Sequence, residues 1–190
     1  SAGDHDILGD TGTFNYATGT FTADDDGTGA DTINIKDSNG LLQAGNQRVL
    51  GGLGEDEINL GEGRSVVIGD TGILQYTGAD LAQAYTFSLN GAKDIINIAA
   101  GDHVILGGAG GDDIDVADGN SDILSDNGSL NYVSGLYQAD ASVSGDDVID
   151  GANGNYRVFA GDGDDTIRLG EGDHLILADT GVVNVLDSIL

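Results

Sequence analysis

The chain has 190 residues, and its 33 acidic residues against six basic ones give a formal net charge of -27. Because binding to phosphate requires clustered Lys and Arg, this balance excludes a nucleic-acid partner, and it argues against docking on anionic lipid. No apolar run approaches the roughly 20 residues that span a bilayer, so no membrane insertion is expected. The absence of Cys excludes disulfides and thiolate-ligated zinc.

A high net charge with modest hydrophobicity is typical of a disordered chain, because little apolar surface is available to offset conformational entropy. Cations that neutralise the aspartates would change that expectation. The chain starts at Ser1 with neither an initiator Met nor a charged-then-apolar leader. From this we expect a fragment of a larger protein, with any targeting signal outside it.

The first element along the chain is an eight-residue segment, GDTGTFNY, which begins at Gly9 and then recurs. It returns as GDTGILQY ending at Tyr76, SDNGSLNY ending at Tyr132 and ADTGVVNV ending at Val185, at intervals of 60, 56 and 53 residues. This spacing predicts one repeat domain over 1–190. Its blocks are approximately 1–16 (partial), 17–76, 77–132 and 133–190.

A shorter period of nine residues runs inside each block. It is clearest in the units GGLGEDEIN (51–59), GGAGGDDID (107–115) and AGDGDDTIR (160–168). Glycines tend to occupy the first, second and fourth places, Asp the sixth and an aliphatic residue the eighth. A seven-residue insertion around 36–42 interrupts the period in the first full block.

These units resemble the calcium-binding nonapeptide of the repeats-in-toxin (RTX) family of secreted bacterial toxins, proteases, lipases and adhesins. The period covers nearly the whole chain, and three or four units match the motif well. The resemblance implies an all-β fold, a parallel β-roll (β-solenoid) of the hemolysin type. We expect about ten 18-residue coils, each with two strands whose eighth-place residue points inward. Between blocks we expect one irregular loop, with Phe21, Phe87 and Tyr137 filling core positions.

The sixth-place aspartates are spaced by 18 residues, or by 25 across the insertion, so we expect them in a single file on one edge of the roll. Stacked turns bring carboxylates together with bare carbonyl oxygens, which are the hard ligands that Ca²⁺ prefers. The predicted file contains Asp31, Asp56, Asp94, Asp112, Asp147 and Asp165. The predicted turn glycines are Gly27, Gly29, Gly52, Gly54, Gly108, Gly110, Gly145, Gly161 and Gly163.

The recurring GDTG turn carries Asp at its second place, as Asp10, Asp70, Asp126 and Asp179. We infer that this acid closes the calcium site begun by the coil before it, so that Asp112 faces Asp126 and Asp165 faces Asp179. About two calcium ions per block would follow from turns that share ligands. The alternative is that these aspartates only cap tight turns through local hydrogen bonds.

Other conspicuous side chains have structural interpretations. His5, His103 and His174 are expected in a polar turn column on the opposite edge rather than in a transition-metal site. Tyrosines 16, 76 and 132 fall in the eighth place, which favours core packing over stacking on sugars. Arg48 and Arg157 are expected to point outward towards surface acid. A thin solenoid offers no cleft for a catalytic constellation, so we do not expect an enzyme.

Calcium binding to such a chain would be coupled to folding, because the sites do not exist in the unfolded state. The resemblance implies type I secretion, in the unfolded state, and folding outside the cell. The expected function is an extracellular spacer or scaffold in an adhesin or surface-layer protein, with neighbouring blocks as partners. Two alternatives stay open. One is a filament of copies joined end to end through the apolar run VVNVLDSIL; the other is the carrier segment of a toxin, protease or lipase.

Overall fold

The computed structural model describes residues 3–24, 26–27, 29–140 and 145–185. The last five residues of the apolar run VVNVLDSIL lie outside the described residues. The described chain forms 20 strands, numbered β1 to β20 in chain order, and contains no helix. The all-β prediction is therefore confirmed. No helix of the length and apolarity required to cross a bilayer is present in this part of the chain.

Two of the three sheets are entirely parallel. Sheet I has seven strands, in the order β1 (His5–Leu8), β5 (Gln47–Leu50), β7 (Val66–Ile68), β11 (His103–Leu106), β13 (Ser121–Leu124), β17 (Tyr156–Phe159) and β19 (Leu175–Leu177). Sheet II has six, in the order β4 (Thr32–Asn34), β6 (Glu57–Leu60), β10 (Ile95–Ile98), β12 (Asp113–Val116), β16 (Val148–Gly151) and β18 (Thr166–Leu169).

Sheet III is antiparallel and is built from the segments that follow each GDTG turn. Its order is β2 (Gly12–Asn15), β3 (Thr20–Ala23), β8 (Gly72–Thr77), β9 (Asp80–Thr86), β14 (Gly128–Asn131), β15 (Leu136–Ala139) and β20 (Gly181–Asn184). The excursions predicted as irregular loops therefore each contribute a strand to an antiparallel hairpin within the described residues. Successive hairpins pair with each other because each adds two strands at the same end of the growing stack.

The strand register contains the predicted 18-residue spacing. Ile96 pairs with Ile114 and Ile105 with Ile123, each 18 residues apart. Where a hairpin of sheet III intervenes, more residues separate the paired positions along the chain, as between Ile58 and Ile96. The insertion forms a small protrusion closed by an antiparallel bridge between Lys36 and Leu42. Sheets I and II therefore gain one strand with each passage of the chain.

Sheet I is the middle layer of the fold, since alternate residues of its strands enter two different hydrophobic cores. Val49 belongs to the core shared with sheet II, whereas its neighbour Leu50 belongs to the core shared with sheet III. The predicted eighth-place residues form the first core and are buried: Ile33, Val49, Ile58, Val67, Ile96, Ile105, Ile114, Ile123, Ile149 and Val158. Ile167 packs against them, and Ile176 at the end of the stack is 47% exposed.

Three expectations about packing need correction. Seven strands in sheet I cannot supply ten coils, because the GDTG units counted as coils belong to sheet III. Phe21 and Tyr137 are buried, but in the core of sheet III, and Phe87 is 42% exposed. Arg48 and Arg157 pair with acids, as predicted, but their partly exposed side chains pack against sheet III, and Arg48 lies 4.3 Å from the centroid of the Phe21 ring.

Candidate metal site

The sixth-place aspartates form a hydrogen-bonded ladder along one edge, in the turns that precede the strands of sheet II. The backbone N–H of each donates to Oδ1 of the Asp in the next coil, as from Asp56 to Asp94 at 2.8 Å and from Asp112 to Asp147 at 2.7 Å. The same bond links Asp31 to Asp56, Asp94 to Asp112 and Asp147 to Asp165, at 2.8, 2.8 and 3.0 Å. The predicted single file is thus present in the structure.

The second oxygen of every Asp in this ladder is buried and has no hydrogen-bond donor. The six atoms are Oδ2 of Asp31, Asp56, Asp94, Asp112, Asp147 and Asp165. Four ion pairs occur among the described residues, and each uses an acid outside the ladder. Because a buried polar atom without a partner is costly, a row of such atoms needs a ligand or a proton.

Burial raises the pKa of five ladder carboxyls, because a charge is poorly solvated inside the protein, and neighbouring carboxylates add to the shift. The five are Asp56, Asp94, Asp112, Asp147 and Asp165. The pKa rises to about 6 for Asp56 and Asp147 and to about 9 for Asp94. That of Asp112 lies well above its usual range, again mainly through burial. At neutral pH the centre of the ladder, at Asp94 and Asp112, therefore favours a proton or another cation over free negative charge.

Ser125 lies beside Asp147 but does not complete its hydrogen bonding. The hydroxyl of Ser125 donates its single proton to the carbonyl oxygen of Ala160 at 2.8 Å. Its proximity slightly opposes the rise in the pKa of Asp147, yet Oδ2 of that residue remains without a donor.

The GDTG aspartates reach the turns of the block that follows them. Asp10 accepts a bond from the Leu53 N–H at 3.0 Å, Asp70 from Ala109 at 2.6 Å, and Asp126 from Asp162 at 2.8 Å. All three donors occupy the third place of a nine-residue unit. These bonds span 36 to 43 residues, so the aspartates are not only local turn caps.

The direction of this contact differs from the prediction. The carboxylates that raise the pKa of Asp126 are Asp147, Asp165 and Asp162, which lie in the following block, whereas Asp112 is influenced by Asp70. Asp126 is thus associated with later coils rather than with Asp112. The proposed partner of Asp165, Asp179, is exposed and accepts a bond from the adjacent Thr180 N–H. The hairpin explains the difference, because it carries the chain into the next layer of the stack.

Burial also affects the GDTG acids. It raises the pKa of Asp70 to about 7 and that of Asp126 to about 8, in both cases as the largest cause. Oδ1 of each is buried and has no donor. These two residues therefore extend the row of unsatisfied carboxylate oxygens beyond the sixth-place file.

The turn glycines are required on this edge because backbone and carboxylates approach closely. Gly52, Gly54, Gly108, Gly110 and Gly161 adopt positive φ angles, between 103° and 130°, which favour glycine. At Gly27 an added Cβ would collide with Asp10. Gly29 donates its N–H to Asp10 at 3.4 Å, and added Cβ atoms at Gly145 and Gly163 would meet the carbonyls of Gly110 and Gly145.

A set of first-place glycines, Gly9, Gly51, Gly69 and Gly107, was missed by the sequence analysis. A Cβ on Gly69 would meet both Oδ2 of Asp94 and the carbonyl oxygen of Gly107. A Cβ on Gly107 would likewise meet Oδ2 of Asp112 and the carbonyl oxygen of Ser125. The unsatisfied oxygens of four ladder residues therefore lie near a carbonyl oxygen of the next coil, and these residues are Asp31, Asp56, Asp94 and Asp112. The recurrence of Gly in the first place was the signal available in the sequence.

The donor chemistry fits a hard cation, although a closed cage is absent. No group of three or more His, Cys, Asp and Glu side chains converges on one point in the described chain. The carboxylates stand in a row, so a bound cation would need backbone carbonyl oxygens as well as Asp. Carboxylate and carbonyl oxygens together are typical ligands of Ca²⁺.

The opposite edge has a similar ladder, built from neutral or exposed groups. The N–H of Asn155 donates to Oδ1 of Asn120, and that of Asp173 to Oδ1 of Asn155. His103 was expected at the surface, but it is buried, and its Nδ1 accepts the N–H of Ser65 at 3.2 Å. Burial lowers the pKa of His103, which favours the neutral ring. The charge that needs a cation is therefore concentrated on one edge.

Comparisons of the chain with protein-family models, with curated proteins and with solved structures find no match.

Proposed function

We propose that this chain is a calcium-folded structural module, a β-roll of the RTX type that serves as a spacer or scaffold in a secreted bacterial protein. The observation that carries the proposal is the row of six buried Asp Oδ2 atoms with no hydrogen-bond donor. Their position beside backbone carbonyls supports calcium as the ligand, since it prefers oxygen and tolerates irregular coordination.

The mechanism follows from the charges. Without cations, carboxylates stacked at the spacing of adjacent strands repel one another, and the net charge of -27 favours an expanded chain. Ca²⁺ would neutralise Asp56, Asp94, Asp112 and Asp147 without requiring protons. Because the sites form only when the coils stack, the free energy of binding contributes directly to folding.

Circular dichroism during a calcium titration, followed by chelator, tests this proposal. We expect strand signal to appear with Ca²⁺ and to be lost on chelation, with Mg²⁺ much less effective because it demands a more rigid geometry. A full strand signal in chelator at neutral pH would overturn it. In a calorimetric calcium titration, Asp112→Ala and Asp165→Ala should each lower the number of calcium ions bound, and an unchanged number would refute the single-file assignment.

The spacer role predicts a monomer in calcium at every protein concentration. Sizing of the calcium-loaded chain over a wide concentration range checks this, and the growth of assemblies would favour the filament alternative. An enzymatic domain elsewhere in the parent polypeptide would instead favour the carrier role.

A further inference from the structure

The same three-residue cluster, here called the Asp–Arg–Tyr plug, occurs twice between sheets I and III, once where block 1–16 meets block 17–76 and once where block 77–132 meets block 133–190. In one, Arg48 binds Asp6 through two hydrogen bonds of 2.5 and 2.8 Å, and the Tyr16 hydroxyl donates to Asp6 at 2.8 Å. In the other, Arg157 binds Asp122 at 2.5 and 2.7 Å, and the Tyr132 hydroxyl donates to Asp122 at 2.8 Å.

Among the described residues, the junction between blocks 17–76 and 77–132 lacks this plug. Asp6 pairs with Arg48 and Asp122 with Arg157 across neighbouring strands of sheet I, whereas the corresponding pair in the middle is Val66 with Val104. Tyr76 follows Val66 by ten residues, as Tyr16 follows Asp6. Its hydroxyl accordingly has no acid to bind.

A pocket of about 560 Å³ opens where the plug is missing. Its lining includes the apolar side chains of Val66, Val104 and Leu81 and the polar side chains of Tyr76, Arg64 and Asp80. A neighbouring region of about 600 Å³ shares Arg64, Val104 and Tyr132, which makes the pocket part of a longer groove. This volume lies within the range of roughly 300–1,000 Å³ that is usual for small-ligand sites.

The polar residues of this pocket are available for a ligand. Among the described hydrogen bonds and ion pairs, none involves the Tyr76 hydroxyl, the Arg64 guanidinium or the Asp80 carboxylate. Arg64 is close enough to Tyr76 to influence its ionisation. Arg64, which can only donate hydrogen bonds, and Asp80, whose carboxylate can only accept them, thus line one pocket together with apolar side chains. A hydroxyl can accept from Arg64 and donate to Asp80, so a ligand rich in hydroxyls satisfies both.

We propose that this pocket binds a neutral saccharide, with the apolar face of a sugar ring against Val66 and Val104 and its hydroxyls towards Arg64 and Asp80. The acidic surface and the presence of Asp4, Asp80 and Asp102 in the lining oppose an anionic ligand. The site is distinct from the Asp ladder, and it depends on the proposed calcium function only through folding.

The test is an NMR titration of the calcium-loaded chain with glucose, galactose, mannose and N-acetylglucosamine, each tried alone. We expect saturable shift changes with at least one sugar, and at least a roughly tenfold weaker affinity for Arg64→Ala or Asp80→Asn. The decisive variant is Val66→Asp with Val104→Arg, which copies the plug of the other junctions and should abolish binding.

Arg168→Ala, which changes an exposed arginine away from the groove, is the matched control and should bind normally. Circular dichroism of each sample separates loss of folding from loss of binding. No saturable response up to about 50 mM of any sugar would overturn the proposal. Undiminished binding by the plugged variant, or binding of methylguanidinium without binding of any sugar, would also overturn it.

Discussion

The backbone N–H of Asp94 donates to Oδ1 of Asp112 at 2.8 Å, while Oδ2 of Asp112 is buried without a donor. The two oxygens therefore have separate roles, since one accepts a bond in the turn ladder and the other is left for a proton or a cation. Asp112→Asn keeps an oxygen acceptor for Asp94 and removes the charge. Without calcium at pH 8, we expect it to shift the folding equilibrium towards the folded state by about 1–3 kcal/mol, because folding no longer buries a charge or takes up a proton at this position.

With calcium, the same variant should be less stabilised than the parent chain, because one carboxylate ligand is lost. The residual strand signal in chelator measures the first effect by circular dichroism, and urea unfolding in saturating calcium measures the second. Asp115→Asn is the matched control, since Asp115 is exposed on the following strand. Equal responses of the two variants would contradict the distinct role of Asp112.

The calcium-free chain should lose stability as the pH rises. The ordinary Asp pKa is 3.8, and in the folded chain it is raised to about 6 for Asp56, about 7 for Asp70, about 8 for Asp126 and about 9 for Asp94. The folded state therefore binds more protons than the unfolded state between these values. Its stability is fully present below the unfolded pKa and is lost as the pH rises through the folded ones.

Circular dichroism of calcium-stripped protein between about pH 4.5 and 9 checks this dependence, since strand signal present at low pH should be lost as the pH rises. The gain in stability on adding Ca²⁺ should increase over the same range, because protons and calcium compete for the carboxylates. A calcium-free chain that is more stable at pH 8 than at pH 5 would disprove the burial of charge along the ladder.

Much of sheets I and II could be predicted, because their strands follow a strict period. Ile58 and Ile105 were placed in the core by spacing alone, and both are fully buried. Sheet III was not predicted, because the nine-residue period was continued through the GDTG turn as if that turn began another coil. That turn takes the chain to the other face of sheet I, so Tyr76 packs against the second core and Tyr16 is 67% exposed.

The candidate site was predictable to a similar degree. The 18-residue spacing of Asp94 and Asp112 was sufficient to place both on one edge. The partner of Asp126 could not be predicted in this way, because spacing along the chain does not specify which layer of the stack a hairpin contacts. Its bond to Asp162 depends on the three-dimensional stacking of the next block.

The Arg157–Asp122 pair should contribute more to stability than a typical surface pair. The Asp122 side chain is only 7% exposed and also accepts bonds from the hydroxyls of Tyr132 and Tyr137. Arg157→Ala leaves that carboxylate without its cation, so we expect a loss of about 1–3 kcal/mol, moderated because Arg157 is itself partly exposed.

Arg168→Ala provides the comparison, because Arg168 and Asp150 are 63% and 46% exposed and such pairs contribute about 0–1 kcal/mol. Urea unfolding of both variants in saturating calcium gives the difference. Similar losses for the two variants would indicate that the Arg157 pair is solvated.

Side chains in the core between sheets I and II are buried to different degrees along sheet I, and two isoleucines in the same place of the repeat test this. Ile105 is fully buried between sheets I and II, whereas Ile176 is 47% exposed on β19. In the calcium-loaded chain, Ile105→Ala should lower the free energy of unfolding by about 2–5 kcal/mol, because it removes buried apolar atoms and leaves a cavity. Ile176→Ala should cost less than about 1 kcal/mol, since its side chain already contacts solvent. Chemical unfolding at fixed calcium concentration measures both, and a comparable loss at Ile176 would mean that further structure covers β19 in solution.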